Sequence, residues 1–143
     1  EFLAYSGLRI GDARSVRWED VGKESIRVKI QKTRALKGEQ WFSIPIIKSM
    51  KKFLKTLDHS GEFVMKIKCP RMQIKRACGR LGYPNYTPHT FRHLFATAVI
   101  EAKVDIPTLS RWLGHSDGGK LAMNTYGHLR DEHSLEQAKK VRF

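Results

Sequence analysis

Residues 89–102 read HTFRHLFATAVIEA, and this stretch predicts a helix that is buried on one side. Apolar side chains recur at the i, i+3, i+4, i+7 and i+8 spacing of an amphipathic helix, at Phe91, Leu94, Phe95, Ala98 and Val99. At about 100° per residue, His89 and Arg92 point roughly opposite that stripe. We therefore expect both side chains to be available to a ligand and not to the core.

Short helices fill most of the rest of the chain. Helical spacing and end signals predict them at residues 1–5, 10–16, 46–57, 71–81, 121–126 and 131–140. A further helix has Asp105 as its N-cap, Pro107 in its first turn and Gly114 at its end. His115 is thus expected just past a helix C-terminus, where backbone geometry holds it.

A β-hairpin is predicted between the first helices and the middle of the chain. Apolar and polar residues alternate from Ser25 to Gln31, and the run Trp41–Ile44 follows the turn-like pair Lys37-Gly38. Lys32 lies where the first strand ends. The fold class expected is α+β, mainly α-helical, with a small antiparallel β-hairpin or three-stranded sheet at one edge.

Size and charge narrow the class of partner. With 143 residues the chain has the size of one domain, and its 27 Lys and Arg against 14 Asp and Glu give a net charge of +13. Such an excess indicates a polyanion, and double-stranded DNA is the first choice. The sequence has no apolar stretch of membrane-spanning length and no signal-peptide pattern, so we expect a cytoplasmic, nucleoid-associated protein.

Three side chains could supply the attack on a phosphodiester. Tyr126 can be the nucleophile, but a phenol has a pKa of about 10 and needs cations and a proton acceptor nearby. Arg9 and Arg92 can grip the two non-bridging oxygens with planar, permanently charged guanidinium groups.

Proton transfer and further hydrogen bonding fall to three more side chains. His89 can accept or return the phenolic proton, and His115 can hydrogen-bond a non-bridging oxygen. Lys32 on the hairpin can protonate the leaving 5′-oxygen. Lys37 lies on the same hairpin and is the alternative to Lys32.

The order of these motifs resembles a known family. In order, they are Ser6-Gly7-Leu8-Arg9-Ile10-Gly11-Asp12, Gln31-Lys32-Thr33 ahead of Ile44-Pro45, His89-Thr90-Phe91-Arg92-His93, Leu113-Gly114-His115-Ser116 and Tyr126-Gly127-His128. Together they resemble the catalytic domain of the tyrosine recombinase, or phage integrase, family, over essentially the whole chain. Asp12 stands where that family more often has Glu.

The resemblance implies both a set of roles and a reaction. Arg9 matches the first catalytic arginine, Lys32 the hairpin lysine and His115 the second histidine. His89 and Arg92 match the His-x-x-Arg pair, and Tyr126 matches the tyrosine that becomes joined to DNA. The family forms a 3′-phosphotyrosyl bond, frees a 5′-hydroxyl and exchanges strands without ATP, metal or cofactor, as in the integration or recombination of mobile elements.

The resemblance also implies an organisation. Residues 1–143 would be the catalytic domain of an N-terminally truncated fragment that lacks the helical domain with which family members clasp the other face of DNA. Four protomers would assemble on two duplexes and exchange C-terminal tails, and residues 129–143 are a candidate for that docking element.

Other functions stay open beside the recombinase. A type IB topoisomerase would nick and reseal without exchanging partners, and a catalytically silent module would keep only DNA binding. A metal-dependent nuclease needs clustered carboxylates, which the sequence does not show. His89 and His93 lie one turn apart, but Arg92 would place a cation beside any metal, so we expect a buried, hydrogen-bonded His93. Tyr83 and Tyr86 are rival nucleophiles for which we expect structural roles.

Overall fold

The structure is a computed structural model, and it describes residues 1–31, 38–67, 69–115, 119–127 and 139. Its elements are α1 (Phe2–Ser6), α2 (Ile10–Ser15), a short 3-10 helix (Trp18–Asp20), β1 (Ser25–Lys29), β2 (Trp41–Pro45), α3 (Lys48–Leu54), α4 (Pro70–Leu81), α5 (Pro88–Glu101), α6 (Ile106–Trp112) and α7 (Lys120–Tyr126). This mainly helical chain with one small antiparallel sheet confirms the predicted fold class. The helix predicted at residues 131–140 lies, apart from residue 139, outside the described residues. Among the described helices, none is both long and apolar enough to cross a bilayer.

The predicted hairpin is confirmed by the pairing of β1 and β2. Ile26 lies opposite Ile44 and Val28 opposite Phe42 in an antiparallel register. Ile26, Val28 and Ile44 are buried while Arg27 is exposed, which is the period of two that the sequence shows. Residues 32–37, which connect the strands and include Lys32 and Lys37, lie outside the description.

Helix α3 is shorter at both ends than its apolar spacing predicted. The N–H of Ile46 donates to the carbonyl of Glu24 at 2.8 Å, so the extended chain of β2 continues past Pro45. At the other end, Thr56 and Leu57 donate to carbonyls three residues back, which is the pattern of a tight turn. Periodicity of apolar residues marks the buried side of a segment but not where its backbone hydrogen bonds change.

Two groups of buried side chains make the core. One joins α1, α2, the hairpin and α3 around residues such as Leu8, Ile26 and Met50. The other joins α5, α6 and α7 around Phe95 and Leu109. The halves meet where α1 packs on α5, and the ring of Phe95 lies directly over the backbone of Gly7.

Helix α5 begins earlier than predicted because of its cap. The Thr87 hydroxyl accepts from the N–H of Thr90 at 3.3 Å, and the Thr90 hydroxyl accepts from the N–H of Thr87 at 3.1 Å. This reciprocal capping box, followed by Pro88, starts the helix at Pro88. His89 therefore lies within the first turn of the helix.

The buried face of α5 is rotated from the predicted apolar stripe. Its buried residues after Pro88 are Arg92, Phe95, Ala96, Val99 and Ile100, whereas Leu94 is 57% exposed. The prediction that Arg92 points away from the core is wrong. Arg92 lies three residues before Phe95 and so shares its face. Counting apolar residues alone excluded an arginine from a face that it helps to form.

Helix α6 ends as predicted, at a glycine that packs on the hairpin. The carboxylate of Asp105 accepts from the N–H of Thr108 at 2.8 Å, which caps the start of the helix. Gly114 has φ +62°, and the ring of Phe42 lies against its Cα. His115 follows, with its N–H donating to the carbonyl of Ser110 at 3.0 Å.

Replacing Gly114 with Ala should lower the free energy of unfolding by about 3 kcal/mol. Left-handed backbone disfavours an L-residue by about 1–2 kcal/mol. The new Cβ would also lie 2.8 Å from Cζ of Phe42, and such overpacking typically destabilises by about 1–3 kcal/mol. Urea denaturation of both proteins measures the difference.

Two alanine variants on α4 and at its end separate these effects. Gly82 has φ +68° but open space around its Cα, so Gly82→Ala should lower the free energy of unfolding only by the cost of the left-handed backbone. Gly79 is helical with nothing near it, so Gly79→Ala should stabilise slightly. Equal losses at Gly114 and Gly82 would contradict the contact with Phe42.

Candidate active site

Arg9 reaches the end of α6 from the turn that separates α1 and α2. Gly7, at φ +63°, reverses the chain after α1, and the buried Leu8 anchors the turn. The Nη1 of Arg9 then donates to the carbonyls of Leu113 and Gly114, each at 3.4 Å. The Arg9 side chain stays 33% exposed, so it is fixed at one side and open at the other.

Arg92 is the most deeply held cation of the site. It is 4% exposed, and its guanidinium donates through Nη1 to the carbonyl of Gly7 at 2.8 Å. Its Nη2 donates to the carbonyl of Leu113, also at 2.8 Å, and lies 2.9 Å from Nε2 of His115. Arg92 therefore ties together two stretches that are distant in sequence, and Leu113 is an anchor that it shares with Arg9.

His115 follows the end of α6, as predicted, and there it lies against Arg92. A guanidinium can only donate, so Nε2 of His115 is the acceptor of the 2.9 Å hydrogen bond. This arrangement assigns the proton of a neutral ring to Nδ1, which is buried. Arg9, Arg92 and His115 are thus brought together by the backbone of residues 113–115.

His89 lies beside these groups in the first turn of α5. Its ring meets the ring of His93 edge to face, with centroids 4.7 Å apart. Partial desolvation lowers the pKa of His89 below its ordinary value of 6.5, and the charges of His93, Arg92 and Arg9 lower it further. His89 is therefore a neutral base near pH 7. His93 is exposed, so the prediction of a buried role for it is wrong.

Asp12 connects Arg9 to the base of the hairpin loop. Its carboxylate is 2% exposed, and Oδ2 lies 4.0 Å from Nη1 of Arg9. Oδ1 accepts from the N–H of Gln31 at 3.0 Å. Gln31 immediately precedes Lys32, so Asp12 fixes the start of the segment that carries the predicted lysine.

The side chains of two predicted site residues lie outside the description. Lys32, with its alternative Lys37, lies outside the described residues. Tyr126 is the last residue of α7, and there the description covers the backbone alone. The roles of both stay predictions.

A cavity of about 530 Å³ opens at the described part of the site. Arg9, His89 and Arg92 line it. The other residues that line it include Arg71 and Lys75 from α4, and Tyr86 from the loop before α5. Among the residues described, no three His, Cys, Asp or Glu side chains come together as a metal site would require.

Sequence reasoning missed these additional cavity residues. Arg71 and Lys75 belong to a long basic run, and nothing in their spacing separates them from their basic neighbours. Tyr86, which was expected to be structural, packs on Phe91 with centroids 6.5 Å apart and also faces the cavity. The Pro-rich loop gave no signal of that second contact.

Comparison with known proteins finds relatives along most of the chain. The tyrosine recombinase XerA of Pyrococcus horikoshii is 29% identical, in a match that covers 95% of this chain and 52% of that protein. The catalytic domain of bacteriophage HP1 integrase has a similar structure, with a TM-score of 0.73 and 21% identity over 97% of this chain and 77% of the other. The XerH site-specific recombinase bound to its difH substrate has a TM-score of 0.58 and 19% identity, covering 93% and 42%.

The chain spans about half the length of the XerA recombinase that it matches, 52%. The two structural matches show a shared fold. The family model for the phage integrase family matches residues 1–133. The chain therefore belongs to the phage integrase family.

Proposed function

We propose that this chain is the catalytic part of a tyrosine recombinase that cleaves and rejoins DNA at specific sites. The observation that carries the proposal is the convergence of Arg9, Arg92 and His115 on the backbone of residues 113–115, beside His89. The guanidinium groups of Arg9 and Arg92 and the neutral imidazole of His89 line one cavity. This arrangement suits a phosphodiester whose negative charge grows during attack.

The proposed first step is a transesterification in which Tyr126 becomes joined to DNA. The phenolic oxygen attacks phosphorus, His89 accepts the phenolic proton, and the bond from phosphorus to the 5′-oxygen breaks. Lys32, or Lys37 in its place, gives a proton to that oxygen, which leaves as a 5′-hydroxyl. The product is a 3′-phosphotyrosyl bond of similar energy, so a 5′-hydroxyl can attack it in reverse without ATP.

Arg9 and Arg92 would hold the two non-bridging oxygens during this step. Arg92 is already fixed by carbonyls on two sides, so little reorganisation is needed when charge develops. His115 would help to hold Arg92 in place through the hydrogen bond that its Nε2 accepts. Asp12 would hold both Arg9 and the start of the lysine loop in place.

Double-stranded DNA is the proposed substrate. The net charge of +13 favours a polyanion, and the similar XerH structure holds a recombinase on its difH substrate. Assembly of four protomers on two duplexes, use of residues 129–143 as a docking tail and a separate DNA-clasping domain remain proposals that rest on the family resemblance.

The test is to trap the covalent intermediate. Full-length protein is incubated, with EDTA present, with nicked duplexes from a random-sequence pool, from which the short 5′-hydroxyl strand diffuses away after cleavage. A denaturing gel and peptide mapping should find DNA on Tyr126. A labelled 5′-hydroxyl strand from a second duplex should then be joined, whereas resealing of the original strand alone would indicate a topoisomerase. Failure to form any adduct would favour the silent DNA-binding module.

The rate of adduct formation should rise with pH along an acid limb that lies below pH 6.5. His89 must be neutral to accept the phenolic proton, and its pKa is lowered from 6.5. Replacing His93 with Gln removes one of the neighbours that lower the pKa of His89, so the acid limb should move upward, toward 6.5. Single-turnover adduct formation, measured across pH, gives the acid limb of the wild type and that of the His93→Gln variant.

His59→Gln is the matched control for this shift. His59 stacks on Trp18, with centroids 3.8 Å apart, away from the cavity. Its replacement should leave the acid limb where it is. An acid limb that His93→Gln leaves unmoved would contradict the tuning of His89 by its neighbour.

A further inference from the structure

Helix α4 contributes two further basic side chains to the cavity at the site. Arg71 and Lys75 are four residues apart, so they lie on one face of that helix, and both line the cavity that Arg9 and Arg92 also line. Both residues are exposed. Of the described residues that line the cavity, none is Asp or Glu.

These two cations lack carboxylate partners within the part of the chain that the structure describes. The ion pairs found there involve Arg9, Arg17, Arg27, Lys29 and Lys66. Helix α4 itself contains no acidic residue. Arg71 and Lys75 therefore add unbalanced positive charge to a cavity that Arg9 and Arg92 already make positive, and like charges around one cavity favour an anion in it.

The cavity is larger than one phosphate group requires. Its volume of about 530 Å³ lies within the range of about 300–1,000 Å³ that is typical of sites for whole small-molecule ligands. Successive phosphates of a DNA strand are separated by only about 3.4 Å along the helix axis. A strand that places one phosphodiester against Arg9 and Arg92 therefore brings a neighbouring one close to the long side chains that α4 contributes to the same cavity.

The two pairs of cations are held differently. Arg9 and Arg92 are tied to backbone carbonyls, as charge stabilisation at one point requires. Arg71 and Lys75 are exposed, long side chains without described hydrogen bonds, a form suited to phosphates that are gripped but not cleaved.

We propose that Arg71 and Lys75 form a second phosphate subsite, which binds the phosphodiester next to the scissile one on the same strand. The inference rests on the proposed function, because it names where the uncleaved part of that substrate lies. The subsite positions the strand without reading its bases. Its loss weakens binding and leaves the chemical step at saturating DNA nearly unchanged.

The test uses a duplex selected for binding to full-length protein from a random-sequence pool. Neutral methylphosphonates replace its phosphates one at a time, and affinity is measured by fluorescence anisotropy. For the wild type, one neutral linkage beside the scissile position should weaken binding by about tenfold, the effect of a lost charge-assisted contact. The Arg71→Ala, Lys75→Ala double variant should bind unmodified DNA about tenfold more weakly, and the same methylphosphonate should then have no further effect.

A double variant on the same helix is the matched control. Arg76 and Arg80 are also four residues apart on α4 and exposed, but they do not line the cavity. Arg76→Ala with Arg80→Ala removes the same charge and should keep the full methylphosphonate effect. Thermal unfolding of both variants checks that the fold is retained.

Three outcomes would overturn the subsite. In the first, the methylphosphonate weakens DNA binding by the Arg71→Ala, Lys75→Ala variant as much as it weakens binding by the wild type. In the second, the affinity that this variant loses depends on the base sequence of the DNA. In the third, the variant cleaves more slowly at saturating DNA while its affinity is unchanged. The proposed function is judged separately, by formation of the adduct in the wild type. Binding can show the subsite present or absent whether or not cleavage is seen.

Discussion

Replacing Tyr126 with Phe should abolish the covalent adduct with DNA and leave DNA binding within about threefold of the wild type, a difference of about 0.7 kcal/mol. The substitution removes only the phenolic oxygen, which is the atom that forms the phosphotyrosyl bond in the proposed step. The ring and the helix that carries it are kept. Denaturing gels of suicide-substrate reactions and anisotropy titrations measure the two quantities on the same preparation.

Tyr86→Phe is the control that this cavity offers. Among the tyrosines whose side chains the structure describes, Tyr86 is the one that lines the same cavity as Arg9, His89 and Arg92. Its variant should keep adduct formation. If the adduct persists in Tyr126→Phe and disappears in Tyr86→Phe, the nucleophile is Tyr86, in the loop before α5, and not Tyr126.

Replacing Arg92 with Ala should reduce both cleavage and stability. Removing one charge-stabilising donor from an active site typically slows the reaction by about 10²–10³-fold. The change also leaves the carbonyls of Gly7 and Leu113 without the donor that the guanidinium supplies, for which we expect about 3 kcal/mol lost from the free energy of unfolding. Single-turnover cleavage below the melting temperature and urea denaturation measure these effects separately.

Arg9→Ala separates catalysis from stability. Arg9 is 33% exposed and its hydrogen bonds are 3.4 Å long, whereas those of Arg92 to its carbonyls are 2.8 Å, so the loss of Arg9 should slow cleavage about as much but lower the free energy of unfolding by less than the loss of Arg92 does. Arg92→Lys keeps the charge but cannot bridge the same acceptors with a planar group, so it should recover part of the rate and little of the stability. Equal stability losses for Arg9→Ala and Arg92→Ala would contradict the structural role given to Arg92.

The parts of the fold that follow from local chemistry could be predicted from sequence. Strand alternation predicted the hairpin, and Asp105 and Gly114 predicted both ends of the helix that presents His115. These signals work because each acts within a few residues of the backbone that it shapes.

The burial of Arg92 could not be predicted in the same way. Its carbonyl partners lie 85 and 21 residues away in sequence, at Gly7 and Leu113. Only the packing of α1 and α6 around α5 brings them together. The choice of Arg71 and Lys75 from a long basic run likewise depends on how α4 packs beside α5. The placement of the Lys32 and Tyr126 side chains stays a prediction.

The division of the core into two halves has a consequence for the proposed cleavage. The contacts of Arg9 with Leu113 and Gly114, and the contact of Arg92 with Gly7, cross from one half to the other, so they exist only when the halves are docked. A copy with one half folded would lack the contacts that fix Arg9 and one of the two carbonyl contacts that fix Arg92. The proposed cleavage of DNA would therefore require the whole fold to be complete.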